Sequence, residues 1–160
     1  MKNVAQCMTV RIILVFIMTC CKRFTLLALT LLTTLPVVAS DTTESRQPIM
    51  LSATEKQLVL AEMRIFLNSV QQIVDGISRD DMVQVAAAAR RSGLAAQATV
   101  PQTLAAKLPL AFKKLGRDTH AKFDNLALDA TQLGDGEHSL QQLNALLQNC
   151  VSCHAAFRFE

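Results

Sequence analysis

SATEKQLVLAEMRIFLNSVQQIVDGI, residues 52–77, decides the fold. Ser52 with Glu55 three residues on has the spacing of a capping box, in which hydroxyl and carboxylate each satisfy a free backbone N–H at a helix start. Behind it Val59, Met63, Phe66, Val70, Ile73 and Ile77 recur at steps of four and three, the stripe of a helix packed in a bundle. A helix, helix A, is therefore expected from about residue 53 to about 77. A polar linker, 41–51, precedes it.

Downstream, Ser78 and Asp81 restart a helix over DMVQVAAAARRSGLAAQA, 81–98, whose alanine run has high helix propensity. Gly93 either ends this helix or weakens it. Pro101 suits the first turn of a short connecting helix, and Pro109 opens a long one through residue 133, with Phe112, Gly116, Thr119, Phe123, Leu126, Ala130 and Leu133 on one face. Gly134 stands where a left-handed residue ends a helix. The last helix starts between Asp135 and Ser139 and carries Leu140, Leu143, Leu147, Cys150 and His154 on one stripe. No segment alternates as a strand does, and no repeat is evident. The expected fold is all-α, an antiparallel four-helix bundle over 52–160.

The first forty residues read differently. FTLLALTLLTTLPVVA, 24–39, follows Lys22 and Arg23 and ends in small residues, the order of a secretory signal peptide cleaved after Ala39 or Ser40. A second apolar run, IILVFIMTCC at 12–21, is cut off by those two charges, and both runs are shorter than the roughly 20 residues of a membrane span. Translation starting at Met18 explains the extra run; an uncleaved N-terminal membrane anchor is the alternative. Of the 16 Lys and Arg, four (Lys2, Arg11, Lys22, Arg23) lie in this leader, leaving 12 against 13 Asp and Glu. A mature domain near −1 offers no nucleic-acid surface. Cys7, Cys20 and Cys21 also leave with it, so Cys150 and Cys153 have no further cysteine for a disulfide framework.

NCVSCHAAFRFE, 149–160, carries the chemistry. Cys150, Cys153 and His154 stand at i, i+3 and i+4, which on a helix puts all three on one face within a turn. That spacing lets two thiols attack the two vinyl groups of a haem while the histidine reaches the iron, and C-x-x-C-H in an exported chain is the c-type haem attachment motif. A structural zinc site needs four ligands, and the remaining histidines, His120 and His138, stand at no standard spacing. A thioredoxin-like dithiol belongs at a helix start in a βαβ unit, whereas here the pair falls late in a helix of an all-α chain. The interior points the same way, weakly. The part beyond the leader has no Trp or Tyr and five Phe, so a flat apolar cofactor would fill a mostly aliphatic bundle.

CVSCHAAFR, 150–158, resembles the C-x-x-C-H-x-x-(Tyr/Phe)-Arg ending of the class II c-type cytochromes, the cytochrome c prime family, whose four-helix bundle carries its haem motif near the C-terminus. The tail is specific; the match over 52–160 is one of helical pattern. The resemblance implies one haem c joined by thioethers to Cys150 and Cys153, His154 as fifth iron ligand, and Arg158 as a cation beside the proximal haem face. On a continuing helix Arg158 falls one turn past His154, where it can tune the imidazole or meet a propionate; a solvated arginine favoured by the helix dipole is the plainer reading. Phe157 would pack on the macrocycle.

The family places on the other side of the iron either a methionine from helix A, giving an electron carrier, or a bulky apolar residue that leaves iron open to small gases. Met63, on the buried stripe, is the candidate ligand. Counting back from Gly76 puts the family's distal residue nearer Leu60, and Met82, at a helix start, is less suited. His120, among charged neighbours, is expected exposed, and His138 solvated. The expected function is a periplasmic monohaem electron carrier with no enzyme activity, served by redox partner proteins and able to pair as a homodimer through helices A and B. The alternatives are a gas-binding or gas-sensing haem protein and, third, a small haem subunit of a larger enzyme.

Overall fold

A computed structural model describes residues 44–160, so the expected leader over 1–40, its expected cleavage site and the alternative anchor lie outside the described residues. Strand β1 (Gln47–Ile49) leads into helix α1 (Ala53–Ser78), α2 (Met82–Arg90), a 3-10 helix (Leu94–Thr99), α3 (Gln102–Lys107), α4 (Leu110–Gln132), α5 (Gly136–Ala156) and strand β2 (Phe157–Phe159). The described chain is mostly helical, in keeping with the all-α expectation.

Most boundaries have a local cause. Ser52 and Glu55 make both bonds of the capping box, at 3.3 and 2.8 Å. Asp81 accepts from the Gln84 N–H at 2.9 Å to start α2, and Asp135 accepts from Glu137 and His138 to start α5. Gly134, at φ +62°, makes the left-handed stop between α4 and α5 that a side chain would strain.

Two expectations need correction. The helix expected over 81–98 ends at Arg90, because a tertiary contact outweighs the propensity of its alanines. The Asp124 carboxylate of α4 takes the Leu94 N–H at 2.9 Å, and a Cβ on Gly93 would stand 1.8 Å from its Oδ1. Gly93→Ala should therefore push Asp124 aside and cost about 1–3 kcal/mol, read as a lower melting temperature; an unchanged melt would mean the carboxylate moves freely. Second, the 41–51 linker is not all irregular and the chain end is not helical. β1 pairs in parallel with β2, Gln47 opposite Phe157 and Ile49 opposite Phe159. Further bonds extend the clamp, Leu51 N–H to the Glu160 carbonyl at 3.0 Å and Lys56 Nζ to the Phe159 carbonyl at 3.2 Å. Three residues are too few to show alternation in sequence.

The core is asymmetric along the helices. Ile73 of α1, Val85, Ala86, Ala88 and Ala89 of α2, Phe123, Leu126, Ala127 and Ala130 of α4, and Leu143 and Leu146 of α5 form one buried cluster. The α2 alanines let its backbone approach its neighbours closely, and α2 packs chiefly on α1 and α4. With 26 residues α1 is about 39 Å long, while the 9 residues of α2 reach only about 14 Å. Beyond Arg90 the chain continues as the 3-10 helix and α3 instead of a full helix, and these face the first half of α1 across a cavity. That half is where the cavity lies.

Candidate functional site

A cavity of about 630 Å³ opens between the first half of α1, the 91–108 connection, the start of α4 and the end of α5. Its size falls within the roughly 300–1,000 Å³ usual for cofactor and small-molecule sites. The wall is largely apolar: Leu58, Val59, Ile65 and Phe66 from α1, Leu104 and Leu108 from the connection, Phe112 and Leu115 from α4. Gly116 adds no bulk; a Cβ there would meet nothing within 4 Å.

Cys150, Cys153 and His154 all line this one cavity, and so does Met63. The cysteines are half-buried and free, the imidazole is exposed at the wall, and Met63 is half-buried on the predicted stripe of α1. Burial pushes both thiols above their ordinary pKa, Cys153 further through its neighbour Cys150. A dithiol built for exchange needs the opposite shift, toward thiolate. Nor does any group of three or more His, Cys, Asp or Glu among the described residues have a metal-holding arrangement, which leaves zinc without a ligand set. Haem brings four nitrogens of its own and asks the chain only for axial ligands and an apolar slot. The cavity's donor set and lining fit that demand.

What fixes the motif is a polar anchor one residue before it. Asn149 is buried, donates to Asp118 Oδ2 at 2.7 Å and to Thr119 Oγ1 at 3.3 Å, and accepts from Lys122 Nζ at 3.0 Å. These bonds tie the end of α5 to the middle of α4 and set the azimuth of the next turn. The buried face of α5 is accordingly Ser139, Leu143, Leu146 and Asn149, whereas Leu140 and Leu147, placed on the stripe by sequence, are exposed.

Other expected site residues lie elsewhere. Leu60 is half-buried on α1 but outside the cavity wall, which α1 supplies through Val59, Ala61, Glu62 and Met63. The helix ends at Ala156, so Arg158 does not follow His154 by a helical turn; it sits in β2, ion-paired with Glu160, its Nε buried without a partner. Phe157 is buried and supports the wall indirectly, edge-on to Phe112 with ring centroids 5.5 Å apart.

His120 reverses its expectation. It is 2% exposed, with Nδ1 2.8 Å from the Ser92 carbonyl and Nε2 3.3 Å from Glu62 Oε1, and it packs beside Phe66 at 5.0 Å. Its neighbours Arg117 and Asp118 are exposed while the imidazole is buried, which a local reading of sequence does not capture. Burial lowers its pKa, but the Glu62 and Ser92 bonds outweigh burial and hold it above the ordinary 6.5. A raised folded pKa stabilises fully below 6.5 and loses that contribution as pH climbs through the folded value. Glu62→Gln should thus destabilise by about 1–3 kcal/mol at acid to neutral pH, with the gap to the parent narrowing as pH rises; denaturant melts across pH read it, and a pH-independent gap would contradict it. His138, expected solvated, is partly exposed and bonded to Asp129 Oδ2 at 2.9 Å.

Comparison of the chain with family models, with curated proteins and with solved structures gave no match.

Proposed function

We propose that the protein is an exported, monohaem c-type cytochrome of the cytochrome c prime type, an electron carrier with α1, α2, α4 and α5 as the four helices of its bundle. The observation that carries the proposal is the convergence of Cys150, Cys153, His154 and Met63 on one apolar cavity of cofactor size. Bound there, the haem would supply a one-electron Fe(III)/Fe(II) change. The chain's own part is to hold it. Cys150 and Cys153 would anchor it covalently, and His154 would ligate its iron. Met63, from the helix that supplies much of the remaining wall, offers a thioether that raises the potential. The aliphatic lining excludes water and so limits the reorganisation that accompanies electron transfer.

Export and haem attachment belong together in this reading, since the leader-like residues 24–40 and the C-terminal motif each demand the same compartment. Its partners would be redox proteins, and pairing of two copies through α1 and α2 is the family's expectation. Among the described residues no helix is long and apolar enough to cross a membrane. A spectroelectrochemical titration of the haem-loaded protein tests the function: one electron per chain, reversibly, with no substrate turnover. A reduced form that instead captures carbon monoxide or nitric oxide at once and tightly would favour the gas-binding alternative.

A further inference from the structure

We infer that Lys113 and Arg117 form the anion-holding edge of the cavity and pair with the two propionate carboxylates of the haem, an assignment that rests on the function proposed above. Both residues line the cavity and stand at i and i+4 on α4, one turn apart on one side of the helix. Several other cations of the domain are already satisfied: Lys107 by Glu55 and Lys122 by Asp118, each at 2.7 Å, and Arg79 by Asp75 at 2.5 Å. Lys113 and Arg117 have no carboxylate within 4.0 Å among the described residues.

The cavity wall holds one carboxylate, Glu62, and it is engaged by His120. Arg91, the third cation on the wall, is bonded to the Gln72 side-chain oxygen. What remains is an apolar slot with two uncommitted cations on one border. That distribution complements a flat apolar body carrying two anions along one edge, which is how haem distributes its charge. Long Lys and Arg stems cover apolar wall while their heads stay at the mouth, and a charged head at such a lip makes stronger hydrogen bonds to carboxylate than a neutral donor does.

The test separates the cations from the slot. With Cys150→Ala and Cys153→Ala, haem uptake becomes a reversible equilibrium that can be titrated optically with iron protoporphyrin IX and with its dimethyl ester, which lacks the two charges. Adding Lys113→Gln and Arg117→Gln should weaken binding of the free acid on the order of five- to thirtyfold and leave the ester unchanged. Lys113→Arg with Arg117→Lys should restore the free-acid affinity. Equal affinity for the free acid with and without the cations, or an equal loss for acid and ester, would overturn the assignment while leaving the cytochrome reading intact.

A second measurement uses covalently loaded protein with both cysteines. Its reduction potential should be flat across the carboxylate range of pH, because the cations hold the propionates ionised, and the Gln variant should acquire a pH-dependent step there. Glu62, His120, Arg91 and His154 also border the cavity and are common to both proteins, so the difference between the two profiles isolates the two cations. Identical profiles would overturn the assignment. A chain that takes up haem in neither form would overturn the function on which it rests as well.

Discussion

Replacing Met63 by leucine should convert a low-spin haem protein that binds carbon monoxide slowly into a high-spin one that binds it fast. Met63 is half-buried on α1 and lines the cavity that His154 also lines, so in the proposed cytochrome its sulfur would be the sixth donor. Leucine has nearly the same volume and no donor atom, and such a swap usually costs below about 1.5 kcal/mol, so the fold stays. Loss of the thioether should also lower the reduction potential. Magnetic circular dichroism, a carbon monoxide binding rate and a melt on the same two proteins read all of this. If the parent is already high-spin and the variant matches it, Met63 is cavity lining only, and an open iron becomes the functional feature.

The other large effect is at the thiols. Cys150→Ser or Cys153→Ser should each leave a single thioether, and the double variant none. Burial keeps both groups as uncharged thiols in the apo chain, and they face a cavity of about 630 Å³ that the cofactor is proposed to fill. Without a tethered occupant the first halves of α1 and α4 lose a packing partner, while the cluster around Ile73, Phe123 and Leu146 persists. The double variant should then melt lower by on the order of 10 °C, equivalent to about 2 kcal/mol in a domain of this size, and more easily at the cavity end than at the core end. Hydrogen exchange distinguishes the two ends. Uniform loss of protection, or none, would contradict the division of the molecule into a packed half and a cofactor half.

Local signals in the chain proved legible and distant ones did not. Ser52 with Glu55, Asp81 and Gly134 each act through bonds or backbone angles within a few residues, and the helix ends they mark are where their chemistry places them. The stripe on α1 likewise gave Val59, Phe66, Val70, Ile73 and Ile77 as its inward side, with Met63 at the cavity. The stop at Arg90 was hidden because its cause, Asp124, lies 30 residues beyond the Leu94 N–H it accepts from. The burial of His120 depends on Ser92 and Glu62 from two other elements, and the rotation of α5 depends on what Asn149 meets on α4. A step of three or four admits two adjacent rows on a helix, and only a partner decides between Leu147 and Leu146. Arg158 was misplaced for a similar reason, since β2 exists only by pairing with β1 more than a hundred residues earlier.

Candidate site residues followed the same rule. The motif cysteines and histidine are local and were readable as a set. The cations at the cavity mouth, Lys113 and Arg117, carry no motif, and become visible only once the wall is assembled around them.

The proposed electron carrier depends above all on a covalent haem at Cys150 and Cys153. The most direct test is the intact mass of the chain produced in cells with a functional haem-attachment system, exported, purified and denatured in acid. The protein should be red, with a mass exceeding that of the processed chain by one haem and with neither thiol reacting with a thiol reagent. A colourless protein of unmodified mass, with both thiols free, would contradict it.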